Sequence, residues 1–282
     1  MTRVYIGTCS WADHKPFYPK GLPSNQQIVY YSQQFPIVEI NSSYYRMMSV
    51  RNYELWAMRT PPGFVFDVKP YKQITWHDRK NPPDAEITEA FSQCLQPLRD
   101  ANKLAAVHCQ FPPWFQYRPD NLDYLHVLRD RFAQDTLAVE FRNRSWLEGE
   151  HLPTLFDDLR AHDISLTVVD EPQLGNGSVP TVLEVTKPEL VITRFHGRNY
   201  QKWYARVKRT AERFDYFYTE DELREWAPNV LQLAESAQEL HLLFNNNAQD
   251  YAVRNARQLR MILRGDLGLE IVPAAGEQSL LL

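Results

Sequence analysis

Eight short apolar runs recur along this chain, each separated from the next by a longer polar stretch with helical periodicity. This alternation limits the possible folds more than any other feature. The runs are RVYIGT (3–8), IVEIN (37–41), FVFDVK (64–69), LAAVHCQF (104–111), TLAVEFR (136–142), ISLTVVD (164–170), LVITRFH (190–196) and ELHLLFN (239–245). Their length and their Val, Ile and Phe content favour strands. The stretches between them carry helix signals. Ser24 stands as a cap before NQQIVYYSQQF, and Ser49 before VRNYELWAMR, which stops ahead of Pro61, Pro62 and Gly63. DAEITEAFSQCLQPLRD places acids in its first turn, where they complement the helix dipole. Pro119 opens another helix, Thr219 with Glu222 forms a capping-box pattern, and AQDYAVRNARQLRMIL is a last amphipathic helix before Gly265.

Strands alternating with helices over about 260 residues predict an α/β fold, a single (β/α)8 barrel of TIM type with its site at the C-terminal face of the strands. A doubly wound open sheet is the alternative. No GxGxxG follows the first run, so the dinucleotide-binding version loses support and no nucleotide cofactor is indicated. One domain over 1–265 is expected. The tail, 266–282, is expected to be a strap, a partner contact or disordered, and 171–189, which lacks a helix pattern, a loop over one barrel end.

Composition narrows the class of partner. A formal charge of −4 argues against a globally basic nucleic-acid binder, while 44% hydrophobic residues support a substantial core. Cys9, Cys94 and Cys109 show no CxxC spacing and suit a reducing compartment. No signal-peptide pattern and no apolar run of about 18 residues is found, so a cytoplasmic protein without membrane association is expected.

Polar residues gather where the runs end. Glu39 and Asn41 close the second run and Lys69 the third; His108 and Gln110 end the fourth, Glu140 and Arg142 the fifth, and Asp170 the sixth. Arg194, His196 and Arg198 follow the seventh, and Asn245, Asn246 and Asn247 the eighth. Residues two apart in a strand share a side, so Glu39 pairs with Asn41, His108 with Gln110, Glu140 with Arg142 and Arg194 with His196. The run starts are mostly apolar, an asymmetry that suits a barrel with chemistry at one mouth. The same groups also suit mutual neutralisation, because unpaired buried ions cost several kcal/mol each, on the order of what one domain can spare.

The segments IGTCSW (6–11), FYPKGLP (17–23), VEINSSYYR (38–46), TPPGFVFDVKP (60–70), EFRNRSW (140–146), RFHGRN (194–199) and FNNNAQDYAVRNARQL (244–259) resemble the domain-of-unknown-function 72 family, the YecE-like proteins. The resemblance spans residues 4–262 and implies a TIM-type barrel, with no established reaction. It departs at Ser10, Asn143 and Asn247, which weakens the case for proton transfer or metal binding at positions 143 and 247. The EIN, Lys69, EFR and HGR elements are intact.

Three chemistries fit these residues. A small anionic, phosphate-bearing ligand suits Arg194, His196 and Arg198 around a glycine, with Asn245 and Asn246 ahead of the last helix. Asn41, Tyr44, His108 and Arg142 complete the expected binding set. A divalent metal is conceivable on Glu39, His108, Glu140, Asp170 and His196, which would make a metal-dependent phosphodiester or nucleic-acid-processing enzyme, although no HxH or HExxH spacing is present. Metal-free acid–base chemistry, as in a hydrolase or lyase, would use Glu39, Lys69, Glu140 and His196 as catalytic residues, with Lys69 also open to Schiff-base formation. A non-catalytic binding module using the same mouth is the remaining reading.

Nucleic acid is a less favoured partner. In 198–218, Arg206, Lys208, Arg209 and Arg213 interleave with Trp203, Tyr204, Tyr216 and Tyr218, which reads as a phosphate-tracking groove or, more plainly, as an amphipathic helix with snorkelling cations. Trp11, Tyr44, Tyr45, Trp76, Trp114 and Trp146 fall in strand-to-helix connections, as pocket walls or packing residues. His14, His77, His151, His162 and His241 read as surface or capping residues, and Cys9 as a packed small residue.

Overall fold

The computed structural model describes residues 1–205, 212–264 and 269–278. Nine parallel strands, β1 (Thr2–Cys9), β2 (Ile37–Ile40), β3 (Val65–Val68), β4 (Leu104–Gln110), β5 (Leu137–Glu140), β6 (Ile164–Leu166), β7 (Val168–Asp170), β8 (Val191–Phe195) and β9 (Glu239–Phe244), lie in the order β6-β5-β4-β3-β2-β1-β9-β8-β7. Only Thr167 separates β6 from β7, so the two ends of this order are one stretch of chain and the sheet closes as a (β/α)8-type barrel. The sixth apolar run is broken for a visible reason. β8 begins too late to pair with β6, and the Thr186 hydroxyl substitutes for it, accepting from Leu166 N at 2.8 Å and donating to Ile164 O at 2.7 Å.

The α-helices between the strands are α1 (Ser24–Ser32), α2 (Ser42–Tyr45), α3 (Val50–Arg59), α4 (Ala85–Cys94), α5 (Gln96–Asp100), α6 (Pro119–Arg131), α7 (Leu152–Ala161), α8 (Glu220–Ala234) and α9 (Tyr251–Leu263), and a short α10 (Ala275–Gln278) follows. The capping box at Thr219 and Glu222 forms. Two expectations at helix starts change. Ser24 is the first residue of α1, capped by Pro23 without a side-chain hydrogen bond, and Asp84 caps α4 by accepting from Ile87 N at 2.7 Å. The expected single helix over 84–100 is broken after Cys94, because Pro97 has no N–H to continue the ladder and its ring crowds the preceding turn.

Residues 269–278 add structure of their own. β10 (Leu269–Ile271) runs parallel to the start of β1, whose pairing with β2 is confined to Thr8 and Cys9. Beyond it, Gly276 N donates to Gln33 O at 3.1 Å, and Arg260 meets Glu277 at 2.8 Å. Gly265 and 266–268, with 279–282, lie outside the described residues.

Two-residue periodicity sends Tyr5, Cys9, Ile37, Ala106, Ala138, Ile192 and Leu243 into the barrel, where they form a small apolar cluster separate from the large core beneath the helices. Gly7 is required in this layer, since a Cβ there would lie 2.4 Å from Ile37 O. The N-terminal end of the barrel is less apolar than the run starts suggest. His241, expected at the surface, is fully buried between Asp67 at 2.8 Å and Glu239 at 2.9 Å. Burial alone would lower its pKa; Asp67 and Glu239 overcome that and raise it to about 9. His14 is also buried, with its Nε2 3.1 Å from the Thr8 hydroxyl, and burial lowers its pKa to about 4.

Candidate active site at the barrel mouth

One residue pair above the apolar layer, the same inward positions carry Glu39, Lys69, His108, Gln110, Glu140, Arg142, Arg194, His196 and Asn245. The strand ends therefore converge on one network. Arg194 is its hub, donating from Nη2 to Glu39 Oε1 at 2.8 Å and from Nη1 to Glu140 Oε2 at 2.7 Å. Glu39 Oε2 meets His108 Nδ1 at 2.8 Å, and His108 Nε2 faces Glu140 Oε2 at 3.5 Å. Arg142 donates to Glu140 Oε1 and to Glu171 Oε2, both at 2.6 Å. His196 Nε2 lies 2.7 Å from Arg142 Nη2 and 3.2 Å from Glu140, with the Asn245 amide 2.9 Å from Nδ1.

These pairings set the charge states. Burial alone would raise the Glu39 carboxyl; Arg194 and His108 outweigh it and hold the pKa at about 2. Glu140 is likewise buried, and Arg142 and Arg194 hold it well below the usual carboxylate range. Burial, reinforced by Arg142, keeps His196 neutral. Burial raises Glu171 to about 7 against the pull of Arg142 and of Val179 N, which donates to Oε1 at 2.8 Å. Cys9 lies 3.4 Å from Arg194, and burial keeps its thiol protonated, as suits a packing residue.

Above this layer opens a cavity of about 740 Å³. Asn41, Lys69, Gln110, Arg142, Arg194 and Asn245 line its floor. Its walls are aromatic, from Tyr44, Tyr45, His77, Trp114, Trp203, Tyr204 and Phe214, with Asp13 and Arg213 also lining it. Lys69 is fixed at the end of β3, its N–H donating to Ile40 O at 3.1 Å. Its Nζ donates to Gln110 Oε1 at 2.9 Å and sits 4.8 Å from the Tyr44 ring centre. Burial and the Arg194 charge lower its pKa to about 8. The buried amide oxygens of Asn41 and Asn247 have no hydrogen-bond partner.

Several predicted residues sit elsewhere. Glu39, His108, Glu140 and His196 lie behind the cavity floor and do not line it. Arg198 binds Asp170 at 3.0 to 3.1 Å, and Asp170 also accepts from the Tyr218 hydroxyl, so this pair is structural on the outer side of β7. Asn246 turns away from the mouth, donating to Tyr216 O and Asn255 Oδ1, both at 2.8 Å.

The five candidate metal ligands do not converge on one point. The Arg194 guanidinium stands between Glu39 and Glu140, His108 presents opposite nitrogens to the two, and Asp170 is engaged with Arg198. An ion there would have to displace a buried arginine. Among the described residues, the donors that do converge are His126 of α6 with Asp158 and His162 at α7, on the outer helical layer.

The 198–218 stretch contains no α-helix among its described residues. Trp203, Tyr204 and Arg213 turn into the mouth, while Tyr216 and Tyr218 pack behind it; Arg206, Lys208 and Arg209 lie outside the described residues. Sequence reasoning missed Glu171, whose signal was an acid directly after the sixth run, and His77, which lines the cavity instead of the surface. Of the tryptophans, Trp114 lines the wall and Trp146 is core, stacked on Phe141 at 4.1 Å. No helix among the described residues is long and apolar enough to cross a membrane.

A closed parallel barrel with a polar network and an aromatic-walled cavity at its C-terminal mouth defines a TIM-type barrel protein. The sequence profile of the family described as "Protein of unknown function DUF72" matches residues 5–276, and the chain belongs to that family. It is 38% identical over 266 residues to the UPF0759 protein YunF of Bacillus subtilis, covering 92% of this chain and 94% of that one. A crystal structure of a DUF72 family protein from Enterococcus faecalis superposes with a TM-score of 0.84 at 29% identity, covering 93% of this chain and 96% of that chain. One from Thermotoga maritima gives 0.81 at 34% identity, covering 93% and 99%.

Proposed function

We propose that the mouth binds a small molecule bearing a phosphate or similar oxyanion, and that Lys69 is the side chain positioned to act on it. The observation that carries this reading is that Lys69 and Arg213 face the cavity with no carboxylate bonded to either among the described residues. Asp13 lines the cavity, while the carboxylates beneath the floor are engaged there. Glu39 and Glu140 hold Arg194, and Glu140 and Glu171 hold Arg142, which makes these acids, with His108 and His196, positioning groups. Arg142 and Arg194, whose guanidinium nitrogens are largely engaged by these groups, add positive charge beneath the cavity, a field that suits an oxyanion. The ring walls suit the carbon skeleton of a ligand, and the cavity falls within the ordinary range for small-molecule sites, roughly 300–1,000 Å³.

The test is thermal unfolding with inorganic phosphate against chloride at matched ionic strength, followed by calorimetric titration of phosphate. Phosphate should raise Tm where chloride does not, and Arg213→Met should weaken its binding by about tenfold, the loss of one charge-assisted contact. Equal responses to phosphate and chloride, or binding unchanged in both Arg213→Met and Lys69→Met, would sink the reading.

A further inference from the structure

We propose that Lys69 is a nucleophile that forms an imine with a small anionic aldehyde or ketone, whose carbonyl lies at the β3 side of the mouth and whose anionic group lies at the opposite wall. This rests on the anion-binding reading above and adds the substrate class.

The geometry begins with the barrel order. Counting the broken strand β6/β7 once, β3 is the third position and β8 the seventh, so they face each other across the axis. The connection after β8 delivers Arg213, Trp203 and Phe214 to the wall facing Lys69, and Asn245 and Asn247 follow the adjacent β9. A ligand with its anion on that wall points its other end at the amine.

The surroundings of Nζ differ from those of a structural lysine. A buried ammonium normally finds a carboxylate or several carbonyls. Lys103 in this chain does so, with Nζ donating to Ala57 O at 2.7 Å, Thr60 O at 2.6 Å and Thr60 Oγ1 at 2.9 Å. Lys69 has one hydrogen-bond acceptor, the neutral Gln110 amide, beside the Tyr44 ring face at 4.8 Å, and no carboxylate is bonded to it among the described residues. The lowered pKa agrees with this placement and leaves about a tenth of the amine free at pH 7, far more than at an exposed lysine.

His77 flanks the same Tyr44 ring, 5.0 Å between centres, and lines the cavity. Its Nδ1 is engaged with the Thr75 hydroxyl at 2.9 Å, which leaves Nε2 for a ligand oxygen. Burial, with Lys69 and Arg142, lowers its pKa to about 3, so the ring is neutral and does not compete for charge.

The step balances without a co-reactant. The Nζ lone pair bonds to the carbonyl carbon while the C=O π pair moves to oxygen, which takes one nitrogen proton. The resulting carbinolamine loses that oxygen as water, carrying the second nitrogen proton, as the C=N bond forms.

The probe is pyridoxal 5′-phosphate, a planar aldehyde with a phosphate, with pyridoxal as its phosphate-free counterpart. Each is incubated with the full chain, reduced with borohydride and mapped by peptide mass. The expected result is one secondary-amine adduct at Lys69, favoured over exposed lysines by at least about tenfold at neutral pH. Excess inorganic phosphate should suppress it, pyridoxal should give less, and Lys69→Gln should abolish it while keeping the wild-type circular dichroism. If phosphate stabilises the protein but Lys69 stays unmodified, the imine falls and the anion site stands. If pyridoxal modifies Lys69 as well as its phosphate does and phosphate gives no protection, the anionic substrate class falls while the nucleophile stands.

Discussion

Replacing Glu39 by Gln removes one of the two carboxylates that hold the Arg194 guanidinium on the barrel axis. With a buried cation left half-compensated, the cost is expected to be about 3–5 kcal/mol in urea unfolding. Glu39, a catalytic candidate on sequence grounds, lies behind the cavity floor, so this substitution should cost stability more than ligand binding. The pH dependence carries a definite sign. The folded pKa of about 2 lies below the ordinary value of 4.5, so the stabilisation is present above 4.5 and lost as pH falls toward 2. Acid unfolding of Glu39→Gln should therefore be shallower across that window. An unchanged acid profile would show that the pair contributes nothing. At Lys69 and Arg213, by contrast, substitution should act on the ligand, since both face the cavity and neither holds the network together.

At the scale of elements, the connection after β8 decides the shape of the mouth. Gly197 begins it at φ +82°, with its N–H donating to the Tyr218 hydroxyl at 2.9 Å, and a Cβ there would stand 2.7 Å from Tyr216 Cβ. Gly197→Ala is expected to cost about 1–3 kcal/mol and to weaken phosphate binding, because the wall carrying Arg213 starts from this turn. Denaturation alongside phosphate titration checks both parts; a loss of stability with unaltered binding would separate the turn from the site. Element types were largely legible from periodicity, as the capping box at Thr219 shows. The breaks were not. Thr186 replacing a backbone partner of β6 and Pro97 ending α4 depend on where chains meet and how one turn packs, which a propensity pattern does not carry.

The barrel as a whole contains a second polar layer at its opposite end. His241 from β9 meets Asp67 from β3 inside the sheet, and its raised pKa makes the interior pH-sensitive. The folded value of about 9 exceeds the ordinary 6.5, so this stabilisation is complete below 6.5 and lost as pH rises through 9. Stability should fall by about 3 kcal/mol across that interval, and the neutral double variant Asp67→Asn with His241→Gln should lack the fall. Chemical denaturation at several pH values checks this, and matching curves for the two proteins would refute it.

The sequence by itself determined the alternation of strands and helices, the closed barrel this implies, and the end of the barrel at which Glu39, Lys69, Glu140 and Arg194 gather. Those properties follow from local periodicity and from the two-residue repeat of a strand. Which groups face a ligand and which are consumed beneath it was decided only by tertiary structure. Arg194 reaches both Glu39 and Glu140 because three strands far apart in sequence place them around one axis, and Asp170 is withdrawn by Arg198 for the same reason. Charge pairing in a buried layer depends on distances across the barrel, and no spacing along the chain encodes them.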